Sequence, residues 1–204
     1  MEIKNTRVYG LEESIMTSHY PMSTVDFLAY ENYPSEKDWE RARKLGRASL
    51  GSGHDNYLKG IIVQADFRAP NYLWPQIQRY HFLDIVSSQS KMHRLPSMDM
   101  KKQCNEYVLP ETIAMVEKLS EEFNKNPTSK NFHTLLSNTP QGIYLTARIT
   151  TNYLQLKTMF AQRQKHRLDD WRKDFAKWCY SLPHFIELTQ KPGTGKKEAN
   201  NDKK

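Results

Sequence analysis

Between Gly60 and Pro70 the chain reads IIVQADFRAP, a run in which Ile61, Val63, Ala65 and Phe67 alternate with Ile62, Gln64, Asp66 and Arg68. A repeat of two puts the first set on one face of a strand and the second on the other, so the run predicts a half-buried strand. Pro70 has no N–H to give to a ladder and closes it. The sequence around the strand is helical in pattern. Ser35 caps a stretch with Trp39, Ala42 and Leu45 at helical spacing, which Gly51-Ser52-Gly53 stops. Pro110 opens a second helix, with Ile113, Val116, Leu119 and Phe123 along one face and Asn-Lys-Asn-Pro at its end.

Three more segments are expected to be helical. Trp74, Ile77, Tyr80 (or His81) and Asp84 follow helical spacing, as do Leu145, Ile149, Tyr153, Leu156 and Phe160. Leu168, Trp171, Phe175 and Trp178 form a further stripe that ends at Pro183. The irregular run from Lys91 to Gln103 is expected to be a loop. Strand among helices predicts an α+β fold.

The chain has 204 residues, enough to bury a sizeable core, and no linker or repeat divides it. We expect one domain over residues 1–190. Residues 191–204, KPGTGKKEANNDKK, lack large apolar side chains and are expected to be a disordered basic tail. The tail carries five Lys against one Glu and one Asp, so +3 of the net +7 belongs to it and +4 to the rest. That charge spread over a whole domain is a thin argument for nucleic acid, and it serves small anions such as phosphates equally well. A solvated basic surface explains it with less.

The first residues, MEIKNTRVYGLEESIM, carry charges where an export signal needs an apolar run. No apolar stretch approaches the roughly 20 residues that span a bilayer. Cys104 and Cys179 have neither metal-ligand spacing nor the numbers for a disulfide framework, and a reducing cytoplasm is the expected setting. There is no HExxH, CxxC, Walker or GxGxxG pattern, and Ser87, Ser88 and Ser90 lack the glycines of a nucleophile elbow.

Two segments combine apolar residues with dense hydrogen-bonding capacity. One holds Gln76, Gln78, Arg79, His81, Asp84 and the serines; the other holds Arg148, Asn152, Gln155 and Gln162. Arg offers a planar fork for phosphate or carboxylate, and Asn or Gln can both donate and accept at a base or flavin edge. Either segment alone is equally well read as a solvated helix face. His81 and Asp84, three residues apart, are an acid/base pair or, more simply, a local hydrogen bond.

Together these segments resemble the flavin-dependent thymidylate synthases of the ThyX type. That family shows a Gly-His-Glu loop, a strand ending in Ala-Pro, and a helix with Arg-His-Arg, seven residues and a Ser. Here Gly53-His54-Asp55 begins the match and Arg68-Ala69-Pro70 continues it without a gap. Gln76 then falls on a glutamine that helps bind the uracil nucleotide, and Arg79 on the first signature Arg. Ungapped, Tyr80 and His81 stand for His and the second Arg, Ser87 for a Glu, Gln89 for the Ser, and Lys91 for a phosphate-binding Arg. One inserted residue instead puts His81 on the His and Ser90 on the Ser. In the distal block, ARITTNYLQLK, Arg148 and Asn152 fall on flavin-contacting positions and Lys157 on a nucleotide-contacting Arg. Thr146 replaces an Asn.

The resemblance implies a thymidylate synthase-complementing-protein-like fold, a mixed sheet flanked by long helices. It implies FAD held by His54, Asn56, Arg79, His81, Arg148 and Asn152. It further implies a deoxyuridine nucleotide, dUMP, held by Gln76, Ser88, Ser90, Lys91, Lys157 and Arg167. No catalytic residue is assigned. The implied enzyme methylates dUMP, taking the carbon from methylenetetrahydrofolate and the hydride from FAD reduced by NADPH, as a homotetramer. The alternative is a nucleotide- or flavin-binding regulatory protein on the same fold, in which the altered signature has ended catalysis. Deleting residues 191–204 is expected to leave the melting temperature nearly unchanged, since they have little to bury; a large drop in a thermal scan would show that they pack.

Overall fold

A computed structural model of the chain describes residues 1–26 and 33–191. The expected disorder of the basic tail therefore lies outside the described residues, save Lys191. In chain order the elements are β1 (Glu2–Tyr9), α1 (Leu11–Thr17), α2 (Glu36–Gly46), β2 (Ile62–Pro70), α3 (Trp74–Ile77) and β3 (Asp84–Ser88). Then come α4 (Lys91–Arg94), α5 (Met100–Gln103), α6 (Pro110–Lys125), α7 (Ser129–Ser137), β4 (Tyr144–Asn152), α8 (Tyr153–Arg163), α9 (Ala176–Ser181) and α10 (Phe185–Thr189). A π-helical stretch, Asp170–Phe175, leads into α9.

The four strands form one sheet in the order β1-β2-β4-β3. The alternation read from β2 holds, for Val63, Ala65, Phe67 and Ala69 are fully buried while Gln64, Asp66 and Arg68 are half-exposed. The Tyr153 amide donates to the Ile61 carbonyl at 3.0 Å, and the Asn71 amide to the Ile143 carbonyl at 2.8 Å. Those bonds fix an antiparallel register that sets Asp66 opposite Arg148. The whole sheet is antiparallel, where a mixed sheet was expected.

Two expected helices are strands in part. The segment after Trp74 stays helical only to Ile77, then turns and enters β3. Ile85 and Val86 are β-branched and Ser87 and Ser88 are poor helix formers, so the run pairs with a strand when one is offered. The Gln89 amide donates to the Thr146 carbonyl at 2.9 Å, and the Thr146 amide donates back to the Gln89 side chain at the same distance. The stretch from Tyr144 to Asn152 is likewise a strand, and the helix starts only at Tyr153. Thr146, Ile149, Thr150 and Thr151 supply the β-branching. A spacing of four is even as well as helical, so Leu145, Ile149 and Tyr153 fit a strand face as readily as a helix stripe. The strand β1 escaped the sequence reading, because its residues are all exposed or half-exposed. The expected loop from Lys91 to Gln103 contains the one-turn helices α4 and α5.

Contacts group the described residues into two compact units, Met1–Lys4 with Asp66–Ile149, and Asn5–Ala65 with Thr150–Lys204. The first has a core of Leu95, Met100, Val116, Leu135 and Ile143, with Ile113, Leu119 and Phe123 packed against it. Pro110 at the start of α6 and Lys125 in its last turn suit the free N–H groups and the dipole at those ends. The expected apolar stripe of α6 is thus the face that packs.

The second unit is aromatic at its centre. Tyr153 and Phe185 meet edge-on at 5.1 Å, Trp171 and Phe175 at 5.3 Å. Ser35 and Asp38 close a capping box on α2: the Asp38 amide donates to Ser35 Oγ and the Ser35 amide to Asp38 Oδ2. At the far end of α2 a Cβ on Gly46 would lie 2.4 Å from the Leu188 carbonyl oxygen and 2.5 Å from the Tyr57 hydroxyl, so only glycine lets α10 and Tyr57 come so near. Trp171 is fully buried, and Arg163 lies over its ring at 4.6 Å. Trp171→Ala is expected to cost about 3–5 kcal/mol in urea unfolding; a loss below about 1 kcal/mol would mean the ring carries no core weight.

Candidate functional site

The residues singled out by sequence fall into both units, and each unit is described by itself. In the first, Gln76 lies within the short helix α3, where Pro75 occupies a position at which no N–H is needed. Arg79, His81 and Ser88 are exposed, and Gln76, Ser90 and Lys91 are half-buried. Tyr80, which stands for the signature His in the ungapped register, is turned inward and 9% exposed. The expected local bond between His81 and Asp84 does not form among the described residues; the helix that would set them one turn apart ends at Ile77, and Asp84 begins β3. The His81 ring instead meets Phe82 edge-on at 4.7 Å. Lys91 Nζ donates to Asn71 Oδ1 at 3.3 Å, and Asn71 Nδ2 donates to Gln141 Oε1 at 2.9 Å. A lysine so held is oriented by one amide oxygen and keeps further donors.

Arg148 lies on β4, and its Nη1 donates to Asp66 Oδ1 at 3.1 Å across the strand pair. Both side chains are about a quarter exposed, 27% and 29%. Arg148 and Asn152 were expected one helical turn apart. They are four residues apart on a strand, which also puts them on one side of the chain.

In the second unit Asn152 marks the change from strand to helix. Its Oδ1 accepts the Gln155 amide at 2.9 Å and so caps α8. Lys157, one turn further along α8, is 5% exposed. Its Nζ donates to Asp55 Oδ2 at 2.5 Å and to the Ala48 carbonyl at 2.7 Å. Asp55, the third residue of the Gly-His-Asp loop, is itself 2% exposed. The Tyr57 hydroxyl donates to the Ala42 carbonyl at 2.8 Å; burial first, and then the Asp55 charge, push its ionisation well above the ordinary phenol range. His54, Asn56 and Arg167 are exposed. His166, beside Arg167, is held below the usual imidazole value by burial and then by Arg163 and Arg167.

Sequence reasoning thus found two cations on the distal block but not their different surroundings. It also gave Asp55 no role. Among the described residues no cluster of His, Cys, Asp and Glu could hold a metal, and no helix is long and apolar enough to cross a membrane. An open cleft in the first unit, floored by Phe123 and Phe132, contains none of the expected site residues.

No protein-family model matches the sequence, and no curated protein matches it. Two crystal structures of the flavin-dependent thymidylate synthase ThyX from Helicobacter pylori, each with FAD and dUMP, do match by fold. Each has a TM-score of 0.71 over 92% of this chain and 96% of that one, at 12% sequence identity. The chain shares its fold with those enzymes.

The surroundings of the two cations predict different costs of removal. Arg148→Ala breaks a part-exposed ion pair and is expected to change stability by less than about 1 kcal/mol. Lys157→Met strands a buried carboxylate and is expected to cost about 3–5 kcal/mol. Urea unfolding of both variants checks the contrast, and equal losses would refute it.

Proposed function

We propose that the chain is a divergent flavin-dependent pyrimidine nucleotide methyltransferase that acts on dUMP with FAD as its cofactor. The observation that carries this is the shared fold over nearly the full length of both chains, with enzymes whose structures hold FAD and dUMP. Fold by itself does not fix chemistry. What adds to it is that the donors required by such ligands sit where they can be reached.

The residues present fit a flavin dinucleotide. Arg79 and His81 are exposed donors on the first unit, and the Arg148 guanidinium sits in a part-exposed pair with Asp66, an interaction of the kind that contributes little. His54 and Asn56 offer an imidazole and an amide on the second unit. Each of these residues is proposed as a flavin donor on its own unit, with Asn152 serving from the capping position it already occupies. Bound and reduced by NADPH, FAD supplies the hydride that turns a transferred one-carbon unit from methylenetetrahydrofolate into a methyl group.

The chain's own groups orient the nucleotide. Gln76 has both a donor and an acceptor for a uracil edge. Lys91, steered by Asn71, would meet the phosphate as a point charge, with Ser88 and Ser90 as hydroxyl donors. Arg167, in the second unit, is exposed and is proposed as a nucleotide contact on that unit. As a homotetramer in the cytoplasm, the protein would supply thymidylate.

A second reading has its own support. In the ungapped register Tyr80, buried, stands where the family signature has His, and Lys157, buried and paired, stands where the family has a nucleotide-contacting Arg. Both favour a protein that keeps the ligands and has lost the reaction. Incubation with FAD, NADPH, methylenetetrahydrofolate and dUMP separates the two. Thymidylate formation establishes the enzyme; binding of FAD and dUMP by calorimetry without product establishes the binding protein; no binding of either at millimolar concentration removes both. Arg148→Ala is expected to weaken FAD about ten- to hundredfold, the equivalent of roughly 1.5–3 kcal/mol for a lost charge-assisted hydrogen bond. Unchanged FAD affinity would take Arg148 out of the site.

A further inference from the structure

The described residues place one ammonium group at both ends of one exposed loop. After α2 the chain leaves the interior at Ala48 and returns at Asp55. Between them Ser49, Leu50, Gly51, Ser52, Gly53 and His54 are all exposed. Gly51 and Gly53 have φ of 82° and 77°, so the loop turns through conformations that most side chains resist. Its own backbone bonds are few, with the Ser52 amide donating to the Ser49 carbonyl at 3.1 Å and the Asn56 amide to the Gly53 carbonyl at 3.4 Å. An exposed, glycine-bearing loop with so little of its own to hold it is the kind of segment that opens locally at small free-energy cost.

What closes it is Lys157. From the buried face of α8 its Nζ donates to the Ala48 carbonyl, where the loop begins, and to the Asp55 carboxylate, where it ends. The side chains of the pair are 6% and 3% exposed, so the interaction is out of reach of salt and water. Both groups must stay paired, because a lone buried charge is far costlier than the pair. Lysine also suits the task in its own right. A compact ammonium can serve a carbonyl and one carboxylate oxygen in different directions, where a planar guanidinium would ask for a coplanar pair.

We propose that Lys157 and Asp55 are a positioning pair that staples the loop carrying His54 so that its imidazole is presented to the flavin, and that Lys157 does not touch the nucleotide. This rests on the proposed flavin function for what His54 meets, and not for the staple itself. His54 follows Gly53 and directly precedes Asp55, so its backbone is fixed on one side by the paired residue. Its imidazole has no hydrogen bond among the described residues, which leaves both ring nitrogens for a ligand. The pair thus carries the register of α8 to a side chain that α8 does not itself present. The charge of Lys157 thus serves the architecture of its own unit and not a phosphate.

The test compares wild type with Lys157→Met, Lys157→Arg and the apolar double variant Asp55→Leu/Lys157→Met. Three readouts are taken: melting temperature, amide hydrogen exchange of the peptide covering residues 48–56, and calorimetric binding of FAD and of dUMP. Lys157→Met is expected to lower the melting temperature by about 10 °C, since it strands Asp55. The double variant removes both charges and should recover most of that loss, because buried ion pairs are often replaceable by apolar side chains. It should nevertheless exchange faster over residues 48–56 and bind FAD at least about tenfold more weakly, since the staple is gone. Lys157→Arg should restore the melting temperature only in part and protect the loop only in part.

The split between recovered stability and unrecovered loop protection is what a merely stabilising pair would not give. A double variant whose loop is as protected as wild type overturns the staple. A double variant that exchanges faster but binds FAD normally overturns the presentation of His54. Loss of dUMP affinity in Lys157→Met with wild-type exchange and FAD affinity would show that Lys157 touches the nucleotide after all. If wild type binds no FAD, the flavin function and the presentation of His54 both fall, and the exchange comparison still decides the staple because it needs no ligand.

Discussion

Everything in this fold leans on the pairing of β2 with β4. They are the two inner strands of the sheet, each buried on one face, and each gives that face to apolar side chains: Val63, Ala65 and Phe67 on one, Ala147 and Ile149 on the other. A slip of one residue would turn the slipped strand's set outward and draw Asp66 and Arg68 inward from β2, or Arg148 from β4. The cost of burying charge fixes the register more firmly than any single hydrogen bond could. The outer strands tolerate more. Neither β1 nor β3 has a buried residue, and their place follows from the inner pair.

That difference explains how much of the fold could be read in advance. The strand β2 announced itself because its polar and apolar residues alternate, and α6 because its apolar residues recur at three and four. The segment Leu145–Phe160 was ambiguous for a geometrical reason: residues four apart share a face in both a helix and a strand. Only the density of threonine and isoleucine separates the two, and that preference takes effect when a partner strand is present. The same holds from Asp84 to Ser88, where pairing with β4 overrode a spacing that looked helical. An outer strand such as β1 has no buried face to create a pattern, so no periodicity could have shown it.

The candidate site was legible in its residue types and not in their environments. Arg148 and Lys157 look alike in sequence, as cations near one end of one segment. The structure gives one a half-exposed partner and the other a buried one, and it is burial that decides whether a charge is available to a ligand or committed to the fold. Asp55 was the missing clue. An acidic residue is almost never fully buried without a partner, but nothing in the sequence says that this one is buried or that its partner lies a hundred residues away.

The junction at Asn152 has a further bearing. Here an extended residue, φ −140° and ψ 168°, passes straight into α8 with no connecting segment, and its own side chain closes the first turn. The strand therefore acts as the helix's gearing, without backlash. One residue added or removed between Asn152 and Tyr153 would rotate the rest of α8 by about 100°, as each residue of a helix does. Every inward side chain on it would then face the wrong way. By contrast, length changes between Ser49 and Ser52, short of His54 and Asp55, would turn no helix. Natural variation in chain length, if it has touched this protein, has two very different places to act: a rigid junction that permits none, and the outer part of a loop that permits some.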